Sequence, residues 1–469
     1  MDPEFKITDR IKSCQIHLQN WNWNVFGNVH QVLRQKKERL QLLEARDSLH
    51  EDAEEIQRVK KEINEVLMRE EIMWNQRSRA LWIKWGDRNT CFFHATANQR
   101  RRKNSIVGLQ DLNGVWNEDK EGIERVIMDY FTSIYRSDQP FSFEDSLSAI
   151  TNRVSTDMNA ELIAEFKAEE VWNALQQMHP TKSPGLDGMS PIFFKNYRDI
   201  VGVEVVNCVL NALNSGRMPC GINDTYICLI PKVKSPQKIT EFRPISLCNV
   251  IYKIMSKMLA NRLKRILPMV IHESQSAFVP GRLITENVLV AFETMHCINQ
   301  RKKGKEALMA IKLDMSKAYD RVEWVYLEAM MRKMGFHEKW ISLIMMCVTT
   351  VSFSVLINNE PKGKIIPTRG LRQGDPISPY LFLLCAEGLS AMLKREEKVG
   401  HIKGVAVSRG APRISHLLFA DDSIVFCRAT VEECGRVIKV LEDYEGDSGQ
   451  KLNKEKTSFF FSKNTNREV

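Results

Sequence analysis

The spacing of hydrophobic residues divides the chain into two parts. Up to residue 140, apolar residues recur mostly three or four positions apart and no proline interrupts residues 4–139, so this part is predicted to be helical. The polar stretch DSLHED at residues 47–52 is predicted to join two helices as a hairpin, which either packs on the rest of the protein or self-associates as a coiled coil. The earlier helix is indicated by Leu33, Leu40 and Leu43, and the later one by Ile56, Val59, Ile63, Val66 and Met73.

Beyond residue 141, glycine and proline separate short apolar runs, which predicts ordered turns between strands and helices. An earlier hairpin is predicted over residues 106–116, because the pair Asn113-Gly114 is typical of a type I′ turn. The decapeptide LLFADDSIVF at residues 417–426 predicts two strands joined by a polar turn that contains Asp421 and Asp422. Two neighbouring carboxylates at the tip of a hairpin repel each other unless a cation lies close to both.

A third carboxylate follows another predicted strand. Residues 308–313, apolar except for Lys312, are predicted to form a strand that runs into Asp314, after which we predict a helix over residues 316–325. Taken alone, Asp314 is equally suited to be a helix N-cap, and the pair Asp421-Asp422 to be a solvated turn. Several carboxylates that meet at one place would instead provide the hard oxygen ligands that a pair of divalent metal ions needs.

Composition narrows the function classes to which the chain can belong. Its 469 residues suffice for about three domains at roughly 150 residues each, and its 43% hydrophobic and 27% charged residues are ordinary for a folded protein. The net charge of +9 favours a polyanionic partner without identifying it. The 11 cysteines include no C-x-x-C pair, which argues against a zinc site, and no apolar run reaches the ~18 residues of a membrane span.

A basic cluster lies among aromatic residues near residue 100. This mixture suits a groove that follows a nucleic-acid backbone, although a run of charged residues is also typical of a solvated helix face. The cationic residues are Arg100, Arg101, Arg102 and Lys103, and the aromatic residues are Trp82, Trp85, Phe92 and Phe93.

Three segments, in this order along the chain, resemble the A, B and C motifs of reverse transcriptases. They are KLDMSKAYD at residues 312–320, RGLRQGDPISPYLF at residues 369–382 and FADD at residues 419–422. The resemblance implies a right-hand polymerase core, an α+β fold in which helices back an antiparallel palm sheet. It also implies that Asp314 lies beside the hairpin that carries Asp421 and Asp422, despite their separation in sequence.

Further segments extend the resemblance over nearly all of the chain, towards the non-LTR, LINE-type branch and plant elements in particular. The opening MDPEF, residues 1–5, looks like a translated cloning site and is set aside. The supporting segments are GDRNTCFFH at 86–94, KSPGLDG at 182–188, IPKV at 230–233, FRPISL at 242–247, QSAFVPGR at 275–282 and SGQKLNKEKT, the motif D match, at 448–457.

The resemblance assigns roles to individual residues at the catalytic centre. Asp314, Asp421 and Asp422 would hold two Mg²⁺ ions, with Mn²⁺ as a substitute, because oxygen ligands suit these cations. Lys456, in the motif D match, would protonate the departing pyrophosphate, unless it is an ordinary surface lysine.

The same resemblance implies how the incoming nucleotide is held. Lys232 and Arg243 would reach its phosphates from the fingers, unless they form ordinary salt bridges. Gln373 and Gly374 would bring an amide side chain and bare backbone close to the nucleotide. Tyr319 would be an aromatic steric gate, whose ring clashes with a ribose 2′-hydroxyl and so selects deoxynucleotides.

We therefore expect an RNA-directed DNA polymerase of a non-LTR retrotransposon, with an RNA template, a DNA primer or target DNA, and deoxynucleoside triphosphates as its partners, and no membrane. Two alternatives stay open. One is a truncated or domesticated protein that binds nucleic acid without polymerising. The other is an RNA-dependent RNA polymerase, in which Asp320 would read the 2′-hydroxyl; Tyr319, and Ala420 in place of the glycine of a Gly-Asp-Asp turn, favour DNA synthesis.

The domain organisation expected from these motifs has three parts after the first five residues. A helical extension with a basic, aromatic segment occupies residues 6–145, the fingers occupy residues 146–305, and the palm with motifs A to D occupies residues 306–469. A thumb, an endonuclease and a terminal Cys/His knuckle are expected to be absent. Synthesis is expected in the cytoplasm and function in the nucleus, and the oligomeric state is left open.

Overall fold

The computed structural model describes residues 3–46, 52–78, 90–140 and 143–465, and none of the helices in these ranges is long and apolar enough to cross a membrane. The α-helices are α1 (Pro3–Trp21), α2 (Val29–Arg46), α3 (Ala53–Ser78), α4 (Thr90–Asn104), α5 (Lys120–Ile134), α6 (Glu144–Ser148), α7 (Thr156–Ile163), α8 (Ala168–Gln176), α9 (Pro191–Asn196), α10 (Arg198–Ser215), α11 (Val250–Val270), α12 (Ile284–Gln300), α13 (Trp324–Met334), α14 (Glu338–Thr349), α15 (Ser378–Val399) and α16 (Val431–Ser448). The strands are β1 (Leu109–Gln110), β2 (Trp116–Asn117), β3 (Asp224–Pro231), β4 (Phe242–Cys248), β5 (Leu308–Leu313), β6 (Ser352–Ile357), β7 (Glu360–Ile365), β8 (His416–Phe419), β9 (Asp422–Arg428) and β10 (Ser458–Phe461).

The N-terminal part is mostly helical, as the spacing of its apolar residues predicts. α2 and α3 pack on each other, which confirms both predicted helices, whereas residues 47–51 of the predicted link lie outside the described ranges. α1 packs against α10, and its Ile7 is buried in the main core. The helix pair α2–α3 has a small apolar cluster of its own, formed by Val29, Leu33, Val59, Ile63 and Val66.

The predicted early hairpin forms, but with a different turn. The amide of Asp111 donates to the carbonyl of Val115 at 3.0 Å, so the hairpin closes with a loop of three residues, 112–114, between these two. Gly114 has a φ of 82°, whereas Asn113 does not have the positive φ that a type I′ turn requires, so the predicted turn type is wrong. The reason is the Asp111 carboxylate, which accepts hydrogen bonds from the amides of Asn113 and Val115, each at 2.9 Å, and so fixes the longer loop.

The first large sheet has four strands in the order β4-β3-β6-β7. β3 pairs antiparallel with β4 and parallel with β6, and β6 pairs antiparallel with β7. The segments IPKV and FRPISL, which the sequence analysis expects to be finger motifs, lie at the end of β3 and along β4. Residue 306 is the expected boundary between fingers and palm. Because β3 and β4 precede it and β6 and β7 follow it, this sheet combines segments from both sides of that boundary.

The second large sheet has the strand order β10-β5-β9-β8, and all of its neighbouring strands are antiparallel. We call it the palm sheet. β5 and β9 are its two central strands; Val425, Phe426 and Cys427 of β9 are buried inside the protein, and α16 packs against this strand. Helices together with an antiparallel palm sheet and a second, mixed sheet confirm the α+β class.

One continuous apolar core links the two sheets, and α11 and α15 are buried within it over most of their length. The prediction of a helix over residues 316–325 is wrong, because the chain forms turns after β5 and α13 begins only at Trp324. Tertiary contacts fix these turns: the amide of Ser316 donates to the carbonyl of Lys451 at 2.7 Å, and Lys317 has a φ of 54°. A left-handed residue ends helical geometry at that point.

Candidate active site

Two aspartates lie at the tip of the hairpin formed by β8 and β9. Phe419 pairs with Asp422, so only Ala420 and Asp421 form the turn, and both aspartates are exposed. Both strands form because Leu418 and Val425 face the interior while the tip is polar, and this confirms the hairpin predicted from the sequence.

The third aspartate, Asp314, reaches the same place from β5. β5 and β9 are antiparallel neighbours in which Leu313 pairs with Ser423. Asp314, one residue after Leu313, and Asp422, one residue before Ser423, therefore lie at the same end of the two strands. The pKa of the Asp421 carboxyl group lies above its ordinary value, chiefly because neighbouring protein atoms remove part of the solvation of this surface side chain, and also through the negative charges of Asp422 and Asp314. The fold therefore gathers three mutually repelling carboxylates at one end of the palm sheet.

The loop between α16 and β10 contacts the first of these carboxylates. The side-chain amide of Asn453 donates to Oδ2 of Asp314 at 3.1 Å, and its backbone amide donates to the carbonyl of Asp314 at 2.8 Å. Nζ of Lys456, which is largely exposed, lies 3.6 Å from the same Oδ2. Lys456 was predicted to belong to the site, but Asn453 was not, because an asparagine in a polar loop carries no signal of a contact so distant in sequence.

The two residues Tyr319 and Asp320 face different surroundings. The ring of Tyr319 stacks on Phe382 with 4.9 Å between centroids and 17° between planes, and burial and the charge of Asp421 raise the pKa of its hydroxyl. Asp320 is only 5% exposed and accepts a hydrogen bond from the hydroxyl of Tyr135 at 3.4 Å. Burial raises the pKa of Asp320 to about 6. A contact of Asp320 with a ribose, as in the RNA polymerase alternative, is therefore not favoured.

Four cationic side chains approach one another beside the aspartates. The pKa of Lys232 is lowered, chiefly by burial and then by the positive charges of Lys456 and Arg243. Lys317 was not predicted as a site residue although it lies within the segment KLDMSKAYD; its Nζ donates to the carbonyl of Phe242 at 3.4 Å. Burial and the charge of Lys232 lower the pKa of Lys317 to about 8. Cations crowded in this way are suited to a polyanion such as a triphosphate.

Gln373 and Gly374 are exposed in a turn that is anchored to β4. The amide of Ser246 donates to the carbonyl of Gln373 at 2.9 Å. Gly374 has a φ of 113°, and a Cβ atom there would lie 3.1 Å from the carbonyl oxygen of Ser246, so this position requires glycine. The flanking residues Arg372 and Asp375 form a buried ion pair with 2.7 Å between nitrogen and oxygen, which the sequence analysis did not identify.

The basic cluster occupies the C-terminal turns of α4 and is exposed. Positive charges at that end of a helix are favourable in themselves, because they complement the helix dipole. Of the accompanying aromatic residues, Phe92 is exposed, Phe93 is buried against Trp74, and Trp82 and Trp85 lie outside the described residues. The four cations of this cluster are Arg100, Arg101, Arg102 and Lys103.

The described residues contain no group of three or more His, Cys, Asp or Glu side chains that converge on one point as metal ligands. The three aspartates share one end of the sheet, while the carboxylate of Asp314 is turned towards Asn453 and Lys456.

Comparison with protein families gives a match to the family described as reverse transcriptase (RNA-dependent DNA polymerase), over residues 230–468. This stretch contains all three aspartates, the four cations beside them and the entire palm sheet.

Comparison with individual proteins finds relatives among transposon proteins. The chain is 28% identical to the uncharacterized 149 kDa protein of transposon TX1 from Xenopus laevis over 387 residues, 81% of this chain and 29% of that protein. It is 25% identical to a Pol polyprotein from the type-2 retrotransposable element R2DM of Drosophila melanogaster, over 62% of this chain and 27% of that protein. A plant relative, an uncharacterized mitochondrial protein of Arabidopsis thaliana, is 56% identical over only 68 residues, 14% of this chain and 56% of that protein. The chain thus spans less than two thirds of each of these relatives.

Proposed function

The chain belongs to the reverse transcriptase (RNA-dependent DNA polymerase) family, and on that premise we propose that it is the polymerase part of a non-LTR retrotransposon protein, which extends a DNA primer on an RNA template. The observation that carries this proposal is the meeting of Asp314 with the hairpin of Asp421 and Asp422 at one end of the palm sheet. The R2DM relative supports the non-LTR branch, and the short Arabidopsis match gives weak support to a plant element.

In this proposal Asp314, Asp421 and Asp422 hold two Mg²⁺ ions, for which Mn²⁺ can substitute. The donor set fits, because it consists of carboxylate oxygens alone. Partial loss of solvation is the main reason why the pKa of Asp421 is raised, and the negative charges of Asp422 and Asp314, which raise it further, are charges that a divalent cation would neutralise. When bound, such ions lower the pKa of the primer 3′-hydroxyl and neutralise the charge that develops on the leaving pyrophosphate.

The surrounding residues would hold the nucleotide and the ligands in place. Lys232, Arg243 and the additional cation Lys317 would bind the triphosphate. Its negative charge would offset the mutual repulsion of the lysines, which adds to burial in lowering their pKa values. Tyr319, held by its stacking on Phe382, would exclude a ribose 2′-hydroxyl from the site.

Two further side chains would act beside the aspartates, one on the leaving pyrophosphate and one on the carboxylate of Asp314. Lys456 would donate a proton to an oxygen of the leaving pyrophosphate, for which an exposed ammonium group close to Asp314 is suited. Asn453 would keep the carboxylate of Asp314 in its orientation through the hydrogen bond to Oδ2.

Primer extension tests the proposal. Purified protein, an oligo(dT) primer on poly(rA), deoxythymidine triphosphate and Mg²⁺ should give products that Asp421→Ala abolishes. Asp443→Ala is the matched control, because it removes an aspartate that forms an ion pair with exposed Lys439 on α16, and it should leave extension unchanged. Circular dichroism shows whether each variant is folded.

The outcomes separate the alternatives. Weak, distributive synthesis that depends on Asp421 supports the proposal. Equal product from the parent and from Asp421→Ala, over a range of enzyme concentrations, would contradict it and favour a protein that only binds nucleic acid. A preference of the parent for ribonucleotides would favour the RNA polymerase alternative.

A further inference from the structure

The segment QSAFVPGR lies between α11 and α12 and touches the hairpin that carries two of the aspartates. The amide of Leu418 in β8 donates to the carbonyl of Ser274 at 2.8 Å, and the amide of Ser276 donates to the carbonyl of Leu418 at 3.2 Å. Gln275 thus forms a parallel bridge with Leu418 at the free edge of β8. The segment therefore extends the palm sheet by one short pairing.

The side chain of Gln275 reaches the turn itself. Its Oε1 accepts a hydrogen bond from the amide of Ala420 and another from the amide of Ala277, each at 3.0 Å. Two N–H donors at one atom require the carbonyl oxygen there, so the orientation of the side-chain amide is determined. The residue is 1% exposed, and its Nε2 has no hydrogen-bond partner among the described residues. A buried, unpaired amide costs about 1–3 kcal/mol, which marks this side chain as an unusual one for a purely structural role.

The turn that Gln275 contacts has a backbone conformation that needs support. Ala420 has a φ of 55°, in the left-handed region, which costs roughly 1–2 kcal/mol for a residue with a Cβ atom. In a two-residue hairpin this first central position normally carries glycine. The hydrogen bond from the amide of Ala420 to Gln275 offsets part of this cost.

The backbone of Gln275 is itself held by an arginine. The guanidinium group of Arg282 donates to the carbonyls of His272 at 2.6 Å and Gln275 at 2.7 Å. The same group donates to the carbonyls of Ile271 at 2.7 Å and Pro268 at 3.1 Å, at the end of α11. A continuous series of hydrogen bonds therefore runs from a core helix through Arg282 and Gln275 to the turn.

We propose that Gln275 is a positioning residue that fixes the backbone of the turn at Ala420, so that Asp421 and Asp422 keep the directions in which they can share cations with Asp314. The inference rests on the proposed polymerase function. It assigns to the segment at residues 275–282 a mechanical role, in which Arg282 fixes Gln275 and Gln275 fixes the hairpin.

Hydrogen exchange of the turn tests this role without any need for activity. Gln275→Met keeps the side-chain length but removes the acceptor, so the amide of Ala420 should exchange about tenfold faster, the factor that one lost hydrogen bond implies. Gln275→Glu keeps an acceptor oxygen and should retain slow exchange. The matched control is Asn287→Ala, which removes a hydrogen bond to the carbonyl of Leu418 but leaves the turn untouched. Unchanged exchange in Gln275→Met, or equal acceleration in the control, would overturn the proposal.

Kinetics gives an independent readout. Gln275→Met should lower kcat in primer extension about tenfold, leave KM for the nucleotide nearly unchanged, and raise the Mg²⁺ concentration needed for half-maximal rate. Adding Ala420→Gly should restore most of the lost rate, because glycine adopts a positive φ without the clamp. No rescue by Ala420→Gly would refute the role. A parent that never extends a primer would instead refute the proposed function, and the exchange experiment would still decide the role of Gln275.

Discussion

The buried pair Arg372 and Asp375 offers a quantitative test of how the nucleotide-binding turn is held. The two side chains are 4% and 1% exposed, and their charged atoms lie 2.7 Å apart. The hydroxyl of Tyr252 donates to Asp375 at 2.6 Å, the hydroxyl of Ser256 donates to the same carboxylate, and the guanidinium group lies 4.0 Å from the centre of the Tyr252 ring. Because Gln373 lies between the two charged residues in sequence, this network fixes its position.

Replacing Asp375 by asparagine keeps the shape of the side chain and removes its charge. Unit charges about 4 Å apart interact by about 4 kcal/mol at an effective dielectric constant of ~20. Loss of one partner of a buried pair costs about 3–5 kcal/mol, because the other charge stays buried. Asp375→Asn should therefore lower the free energy of unfolding by about 3–5 kcal/mol, a large part of the roughly 5–15 kcal/mol of a typical domain.

Urea unfolding, followed by tryptophan fluorescence, measures this difference. The control Asp443→Asn removes the charge of the half-buried partner of exposed Lys439, and it should cost at most about 1 kcal/mol. The slope of unfolding free energy against urea should be the same for all three proteins, since the exposed surface on unfolding does not change. A loss for Asp375→Asn as small as that of the control would refute the account of this network.

Three further predictions concern sugar choice, pH and nucleic acid. Tyr319→Ala should increase ribonucleotide relative to deoxynucleotide incorporation, whereas Tyr319→Phe, which keeps the ring, should not; competition assays that show no change would contradict the steric gate. Burial raises the pKa of Asp320 from 3.8 to about 6, so the folded state binds more protons between these values and stability falls as pH rises through them. Asp320→Asn should therefore stabilise the protein more at pH 8 than at pH 4, by up to about 3 kcal/mol in the free energy of unfolding. Thermal unfolding should show this as a larger rise in Tm at pH 8, and an equal rise at both pH values would refute the prediction. Replacing Arg100, Arg101 and Arg102 with alanine should flatten the salt dependence of nucleic-acid binding by up to about three phosphate contacts, and an unchanged slope would assign the cluster to a solvated face.

Local patterns predicted the parts of the fold in which neighbouring residues decide the structure. The helix pair α2–α3 and the hairpin β8–β9 follow from apolar spacing, because each buries one side against an adjacent element. The spacing of apolar residues does not predict that Asp314 lies beside this hairpin; that expectation came from the family resemblance. The register of β5 with β9 agrees with that expectation.

Where residues distant in sequence decide the structure, the local pattern gave a wrong prediction or none. The expected helix after Asp314 is replaced by turns, because the contact of Ser316 with Lys451 fixes the chain and Lys317 has a left-handed backbone that an α-helix does not allow. Asn453 and Lys317 were missed, since their contacts with Asp314 and Phe242 depend on how the chain returns to the palm sheet. No local periodicity carries that information.

Cleavage by bound iron tests the central claim most directly, namely that Asp314, Asp421 and Asp422 form one site for divalent cations. Fe²⁺ replaces Mg²⁺ in the folded protein, and with ascorbate and peroxide it produces hydroxyl radicals that cut the backbone close to the ion. Mass spectrometry should find cuts at the end of β5 and at the β8–β9 turn, which excess Mg²⁺ suppresses and Asp421→Asn abolishes. Cuts confined to other parts of the chain, or cuts at these two positions that persist in Asp421→Asn, would contradict the account.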